Sequence, residues 1–245
     1  RVYIEKGGEI IPKIVGVNLE KRDLFAQPVQ FITHCPACGA ELVKYEGEAR
    51  HYCPNQEHCP PQIVGRIIHF IGRKAMNIDG LGEETVELLY QQGLIRSYTD
   101  LYRLRKEELV PLERLGEKSA ENIIRSIENS KQTPFERVLF ALGIRFVGET
   151  TAKKLARALK SMDTIASASL EELSDVDEVG GKIAESILEY FSKEENRQLI
   201  GELQKYGVAM AVEEKQQLSD ALEGKSIVIS GKFASHSRDE MKELI

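Results

Sequence analysis

Four cysteines, Cys35, Cys38, Cys53 and Cys59, fall within a stretch of 25 residues, spaced C-x2-C-x14-C-x5-C. A two-residue gap lets two thiolates turn onto one ion, and Pro36 and Gly39 suit that turn. Cys53 and Cys59 then complete a tetrahedral set. Four thiolates leave no position open for water, so the chemistry is that of a structural Zn2+ site and not a catalytic one. Two disulfides or four free thiols are the alternatives. Paired spacing with turn residues favours zinc, and a reducing compartment disfavours disulfides. His34, His51 and His58 lie close by. His34 and His58 adjoin cysteines and cannot easily reach the same ion, so all three histidines read as surface residues. Some thirty residues cannot build an adequate core, whereas zinc supplies on the order of 10 kcal/mol of apparent folding free energy.

The second pattern is a repeat. Gly82, Gly116, Gly148 and Gly180 recur at steps of 34, 32 and 32 residues. Four residues before each glycine stands Ile78, Leu112, Ile144 or Val176, and one before stands Leu81, Leu115, Val147 or Val179. Four after stands Val86, Ala120, Ala152 or Ala184, and seven after stands Leu89, Ile123, Leu155 or Ile187. A period in this range predicts stacked supersecondary units, here helix, short hairpin, helix. One unit of about 32 residues is too small to fold alone, so the four are expected to pack as one compact, mainly α domain. A glycine that opens a helix also offers backbone N–H groups to an anion, with the helix dipole favouring negative charge there.

The four copies differ in what surrounds that glycine. The first alone carries a second glycine two residues earlier, Gly80-Leu81-Gly82, but Glu83 and Glu84 follow and repel a phosphate, so it reads as structural. The second has Arg114, Gly116, Lys118 and Ser119. The third has Gly148, Thr150, Thr151 and Lys153, with Lys154 beyond. The fourth has Gly180, Gly181 and Lys182. These last three sets are the candidate anion-binding residues. A plain helical scaffold, in which backbone geometry alone demands the glycines, is the competing reading.

Around these groups the chain reads as follows. Residues 1–19 hold strands, Val2-Tyr3-Ile4 and Ile10 to Val17, about a turn at Lys6-Gly7-Gly8. Lys6 reads as a turn residue or one facing a nucleic acid, and not as a nucleophile. A connector leads to the cysteines. Pro61 opens a helix whose apolar face is Ile63, Val64, Ile67, Ile68 and Ile71, with Arg66, Arg73 and Lys74 elsewhere on it. Helices continue to about residue 212. Residues 213–223 form a polar linker, and Lys225 to Ile229 a short strand with a helix opening at Arg238.

Composition limits the roles. With 33 Lys and Arg against 39 Asp and Glu, the net charge of −6 excludes nucleic-acid binding by bulk charge, leaving placed amides, lysines and arginines. No apolar run approaches the ~18 residues that span a bilayer. A cytoplasmic protein with no membrane partner, and a monomer, is expected. Arg1 is not a start methionine and Ile245 falls inside a helix-like stretch, so a piece of something longer is expected.

The repeat units resemble the helix–hairpin–helix element of DNA-binding proteins, h-x-x-h-x-G-h-G-x-x-x-A with h apolar. That resemblance implies sequence-independent contact with phosphates, commonly from the minor-groove side. The order of parts is more specific. Glu5-Lys6-Gly7-Gly8-Glu9-Ile10-Ile11-Pro12 is followed by the four cysteines, then His69 through Gly82 (HFIGRKAMNIDGLG), three more hairpins and Leu222 through Gly231 (LEGKSIVISG). This resembles the C-terminal half of bacterial NAD-dependent DNA ligases. The resemblance implies that residues 1–27 end an OB-fold and its connector, 28–60 form a zinc finger, 61–212 the helix–hairpin–helix domain, and 224–245 the start of a BRCT domain. It implies nicked double-stranded DNA as partner, in the bacterial cytoplasm at the nucleoid, in replication and repair. The parent enzyme takes AMP from NAD+ onto a lysine and needs Mg2+. None of those catalytic or cofactor sites is expected within this chain, which is expected to be inactive alone. A stand-alone DNA-binding module and a protein-interaction scaffold are the alternatives.

Overall fold

The computed structural model describes residues 1–8, 11–23, 25, 27, 30–213 and 228. The expected linker and the expected strand and helix after it lie outside the described residues, apart from Glu213 and Val228. The chain divides into two compact units between Gly65 and Arg66.

In the first unit, β1 (Val2–Gly7) pairs antiparallel with β2 (Ile11–Val17), in a register that sets Lys6 opposite Pro12. Lys6 therefore lies in a strand and not in the turn. The cysteine segment is held by single bridges, His34 to Glu41 and Val43 to Tyr52.

The helix α1 (Pro60–Ile71) begins in the first unit and ends in the second. Ile63, Val64, Ile67 and Ile71 are buried as their spacing predicts, Ile68 is half-buried, and Phe70 joins the core. Arg73 and Lys74 fall beyond its end.

The second unit is helical. Its repeats open their second helices at the four glycines: α2 (Glu83–Gln91), α4 (Glu117–Ser130), α6 (Glu149–Leu159) and α9 (Gly181–Ser192). The first helix of each repeat is far less regular. It is α1 in the first copy, then only α3 (Lys106–Leu109), α5 (Phe135–Ala141) and α8 (Leu170–Ser174). A 3-10 helix (Tyr98–Arg103), α7 (Met162–Ser167) and α10 (Glu194–Lys205) connect and close the set. The repeat positions four and seven after each glycine are all fully buried, which is why their spacing is regular.

Polar contacts fasten α10 to the 3-10 helix. The buried Thr99 hydroxyl donates to Glu202 at 2.6 Å, and Arg103 donates to Glu202 at 3.0 Å and to the Tyr206 hydroxyl at 2.5 Å. The chain leaves helix at Lys205, short of residue 212. It then returns to the α6–α7 connection, where Met162 N–H donates to the Met210 carbonyl and Val212 N–H to the Lys160 carbonyl, each at 2.8 Å. Among the described residues no helix is long and apolar enough to cross a membrane.

Candidate metal centre and nucleic-acid interface

The four cysteine sulfurs converge, all lying within 4.8 Å of one another. Cys35 and Cys59 are 3.8 Å apart, and Cys38 and Cys53 are 3.5 Å apart. A disulfide would need about 2.05 Å. Sulfurs about 2.3 Å from a tetrahedral zinc ion stand about 3.8 Å from each other, so the set fits that ion. Local turns make the convergence possible: Gly39 N–H donates to the Cys35 carbonyl at 2.8 Å, with Gly39 at φ 73°. The Ala40 N–H lowers the Cys38 thiol to about 7, and burial pushes Cys53 up to about 12. Among the described residues no histidine joins the cluster: His51 stacks on Phe31, and His34 Nδ1 meets the Thr33 hydroxyl at 2.9 Å.

In the helical unit, the four repeat glycines share one geometry. Gly82, Gly116, Gly148 and Gly180 cap their helices at φ −95°, −95°, −83° and −78°, with ψ between 167° and 177°. Each carbonyl accepts the first helical bond, from Val86, Ala120, Ala152 and Ala184, at 2.9 to 3.1 Å. No side chain caps any of the four. The two N–H groups after each glycine therefore have no acceptor among the described residues. By contrast, Ser161 and Ser169 cap α7 and α8 with their hydroxyls.

The scaffold reading expected backbone geometry to demand these glycines. It does not. Their φ and ψ suit any residue, and a Cβ built at any of the four meets nothing within 4 Å. The space over each helix start is left open to the outside.

Two residues earlier the opposite holds. Gly80, Arg114, Phe146 and Glu178 all adopt left-handed φ, at 86°, 67°, 66° and 62°. The missing first glycine of copies two to four thus leaves the hairpin conformation unchanged, at about 1–2 kcal/mol for each non-glycine residue. In the first copy a side chain is disfavoured for a second reason: its Cβ would lie 3.0 Å from Ile123 Cγ1, which would have to shift by a few tenths of an ångström.

The copies associate in two pairs. Asp79 N–H in the first hairpin donates to Ser126 Oγ on α4 at 2.7 Å, and Arg114 in the second hairpin pairs with Glu84 on α2 at 2.8 Å. Likewise Ser186 Oγ on α9 donates to the Arg145 carbonyl at 2.8 Å, and Glu178 pairs with Lys154 on α6 at 2.8 Å.

The predicted anion-binding residues gather at three separate helix starts. Arg114, Gly116, Lys118 and Ser119 are exposed at α4, as are Gly180, Gly181 and Lys182 at α9. Gly148, Thr150 and Lys153 are exposed at α6, with Thr151 half-buried. Lys118 and Lys182 make no ion pair among the described residues. Other cations are engaged within the chain: Arg114 by Glu84, Lys153 by Glu149 at 3.2 Å, and Lys154 by Asp177 at 2.6 Å. No side-chain contact joins the three sets into one cluster among the described residues.

Comparison with known proteins matches this layout. Residues 34–60 match the NAD-dependent DNA ligase C4 zinc finger domain, residues 73–129 a SAM-like helix-hairpin-helix tandem, and residues 137–200 a helix-hairpin-helix motif. A DNA ligase of Phocaeicola vulgatus is 62% identical over the whole of this chain, and that of Bacteroides fragilis 57%. The chain belongs to the NAD-dependent DNA ligase family. It spans 37% of the length of these curated relatives. In this member of the family the two helical matches coincide with the two pairs of repeats, Gly82 with Gly116 and Gly148 with Gly180.

Proposed function

We propose that this chain is the DNA-gripping, non-catalytic half of an NAD-dependent DNA ligase that seals nicks in duplex DNA. The helix starts at Gly116, Gly148 and Gly180 hold phosphate oxygens through free backbone amides, so binding is independent of base sequence. Arg114, Lys118, Ser119, Thr150, Thr151, Lys153, Gly181 and Lys182 surround those oxygens. The observation that carries this reading is the bare glycine start. All four helices forgo a side-chain cap and leave open space that neither backbone conformation nor internal packing requires. A phosphate needs that close approach to the amides.

The first copy is the structural member, with Glu83 and Glu84 at its helix start. Cys35, Cys38, Cys53 and Cys59 hold a structural zinc ion, which supplies folding free energy to the finger. The parent protein draws AMP from NAD+ and uses Mg2+, and the residues for both lie outside this chain. It acts as a monomer in the bacterial cytoplasm, at the nucleoid.

The test is the salt dependence of binding to a nicked duplex. Each of Lys118→Ala and Lys182→Ala is expected to flatten the slope of log K against log salt by about 0.9. Slopes unchanged in both variants overturn the assignment. Incubation with NAD+ and Mg2+ is expected to leave the chain free of AMP, and a stable adduct overturns the non-catalytic half of the reading.

A further inference from the structure

Phe146 is out of place on an ordinary protein surface. It is 51% exposed, and among the described residues of the second unit only Leu170 and Val228 join it as exposed large apolar side chains. It stands at the tip of the third hairpin in the left-handed region, at φ 66°. An aromatic side chain is disfavoured there, and the first repeat uses Gly80 at the same position. The other two non-glycine residues at this position make ion pairs with the neighbouring repeat, Arg114 with Glu84 and Glu178 with Lys154. Phe146 instead carries the Arg145 guanidinium over its ring, 4.7 Å from the centroid. Its successor Val147 is buried, and Gly148 then opens α6 with its free amides. The backbone thus turns the aromatic ring outward directly beside a group of N–H donors.

From this placement we propose that Phe146 is an apolar wedge that enters the minor groove of duplex DNA and partly unstacks a base step, with Arg145 following the adjacent backbone or groove wall. The inference rests on the reading of the third hairpin as a phosphate grip. It adds a specific role that amides and lysines cannot supply. Apolar side chains inserted between base steps from the minor groove bend the duplex, and they act at the steps that yield most easily. A nicked step lacks one backbone linkage and yields more readily than an intact one. Phe146 therefore confers preference for nicked over intact duplex, whereas phosphate contacts bind both. The chain's net charge of −6 fits this division of labour, since electrostatics alone hold it weakly to any duplex.

The experiment uses the whole 245-residue chain and two duplexes of one sequence, one nicked and one intact, each with 2-aminopurine beside the nick position. The parent chain is expected to brighten the 2-aminopurine in the nicked duplex and to bind it more tightly than the intact one. Phe146→Gly removes the ring and suits the left-handed backbone, so it is expected to melt no lower than the parent. It should abolish the brightening, lower affinity for the nicked duplex about tenfold, as loss of one base–aromatic contact does, and leave the salt slope unchanged. Phe146→Leu keeps apolar bulk and is expected to restore part of the brightening. Salt-dependent binding in which Phe146→Gly changes neither affinity nor brightening overturns the wedge and spares the phosphate grip. Absence of salt-dependent binding by the parent chain overturns both.

Discussion

Arg114, at the tip of the second hairpin, is ion-paired at 2.8 Å with Glu84 in the first turn of α2, the helix of the first repeat. Both side chains are largely exposed, so the pair contributes little to stability, roughly 0–1 kcal/mol. Its interest lies in the position of each partner. Arg114 occupies the left-handed hairpin site, and Glu84 sits beside the free amides of α2. Glu117 and Glu149 also open α4 and α6, but the first repeat alone adds a second carboxylate, Glu84, where the others carry Lys118, Thr150 and Lys182, and it pairs with a cation of its neighbour. On the proposed reading, this exchange makes one of two similar segments structural and the other binding.

Replacing Glu84 tests that division. Glu84→Gln is expected to release Arg114 and to strengthen binding to nicked duplex by up to about fivefold at low salt, the scale of one exposed charge pair. Thermal stability should change by less than about 0.5 kcal/mol. Fluorescence anisotropy across a salt series reads the effect. Weaker binding would mean that Glu84 positions Arg114 and does not withhold it.

The bare glycines make a prediction with opposite signs for stability and binding. Gly148 has the backbone of an ordinary N-cap and no neighbour near a built Cβ. Gly148→Ser should therefore cap α6 with its hydroxyl, as Ser161 and Ser169 do at α7 and α8. A gain of a few tenths of a kcal/mol is expected, about 1 °C in melting temperature. The same hydroxyl occupies the amides proposed to hold phosphate, so affinity for DNA should fall severalfold. A variant that is more stable and binds equally well would remove the phosphate role from this helix.

Zinc should matter locally. One ion per chain is expected by metal analysis. Chelation is expected to free the amides of Cys35 and Val43, which donate to Ala40 and Tyr52 carbonyls at 2.8 Å, to hydrogen exchange. The helical circular dichroism signal should persist, because α2 to α10 lie in the other compact unit and bury their own core. Loss of that signal on chelation would mean that the helical unit depends on the finger.

How far the sequence could be read depended on which interactions are local. The cysteines were legible because a tetrahedral site imposes close spacing on its ligands. The repeat was legible because Val86, Ala120, Ala152 and Ala184 are all fully buried in the same frame. Other features depend on partners distant in sequence. The pairing of repeats rests on Ser126 with Asp79 and Ser186 with Arg145, which no period reveals. The short first helices α3 and α8 carry too few residues for a periodic face. The left-handed conformation of Arg114, Phe146 and Glu178 was hidden because none is glycine. It becomes visible only by aligning them with Gly80, the copy in which Ile123 crowds a side chain.

The helical unit should lose stability in alkali, through the buried Tyr98 and the half-buried Tyr102 and Tyr190. Burial raises Tyr98 and Tyr190, whose hydroxyls lie 3.4 Å apart, and pushes Tyr102 up to about 12. An unfolded tyrosine ionises near 10. Between about pH 10 and 12 the unfolded chain therefore sheds protons that the folded chain keeps, and ionisation favours unfolding. Stability is complete below pH 10 and falls by up to about 1.4 kcal/mol per pH unit for each such tyrosine above it. Denaturant titrations from pH 9 to 12 read this slope. Tyr102→Phe loses the hydroxyl contact with Ser130, at 3.0 Å, and should be destabilised at neutral pH by about 1 kcal/mol. It should also show a shallower alkaline slope than the parent. An equal slope in both would remove Tyr102 from the groups that set it.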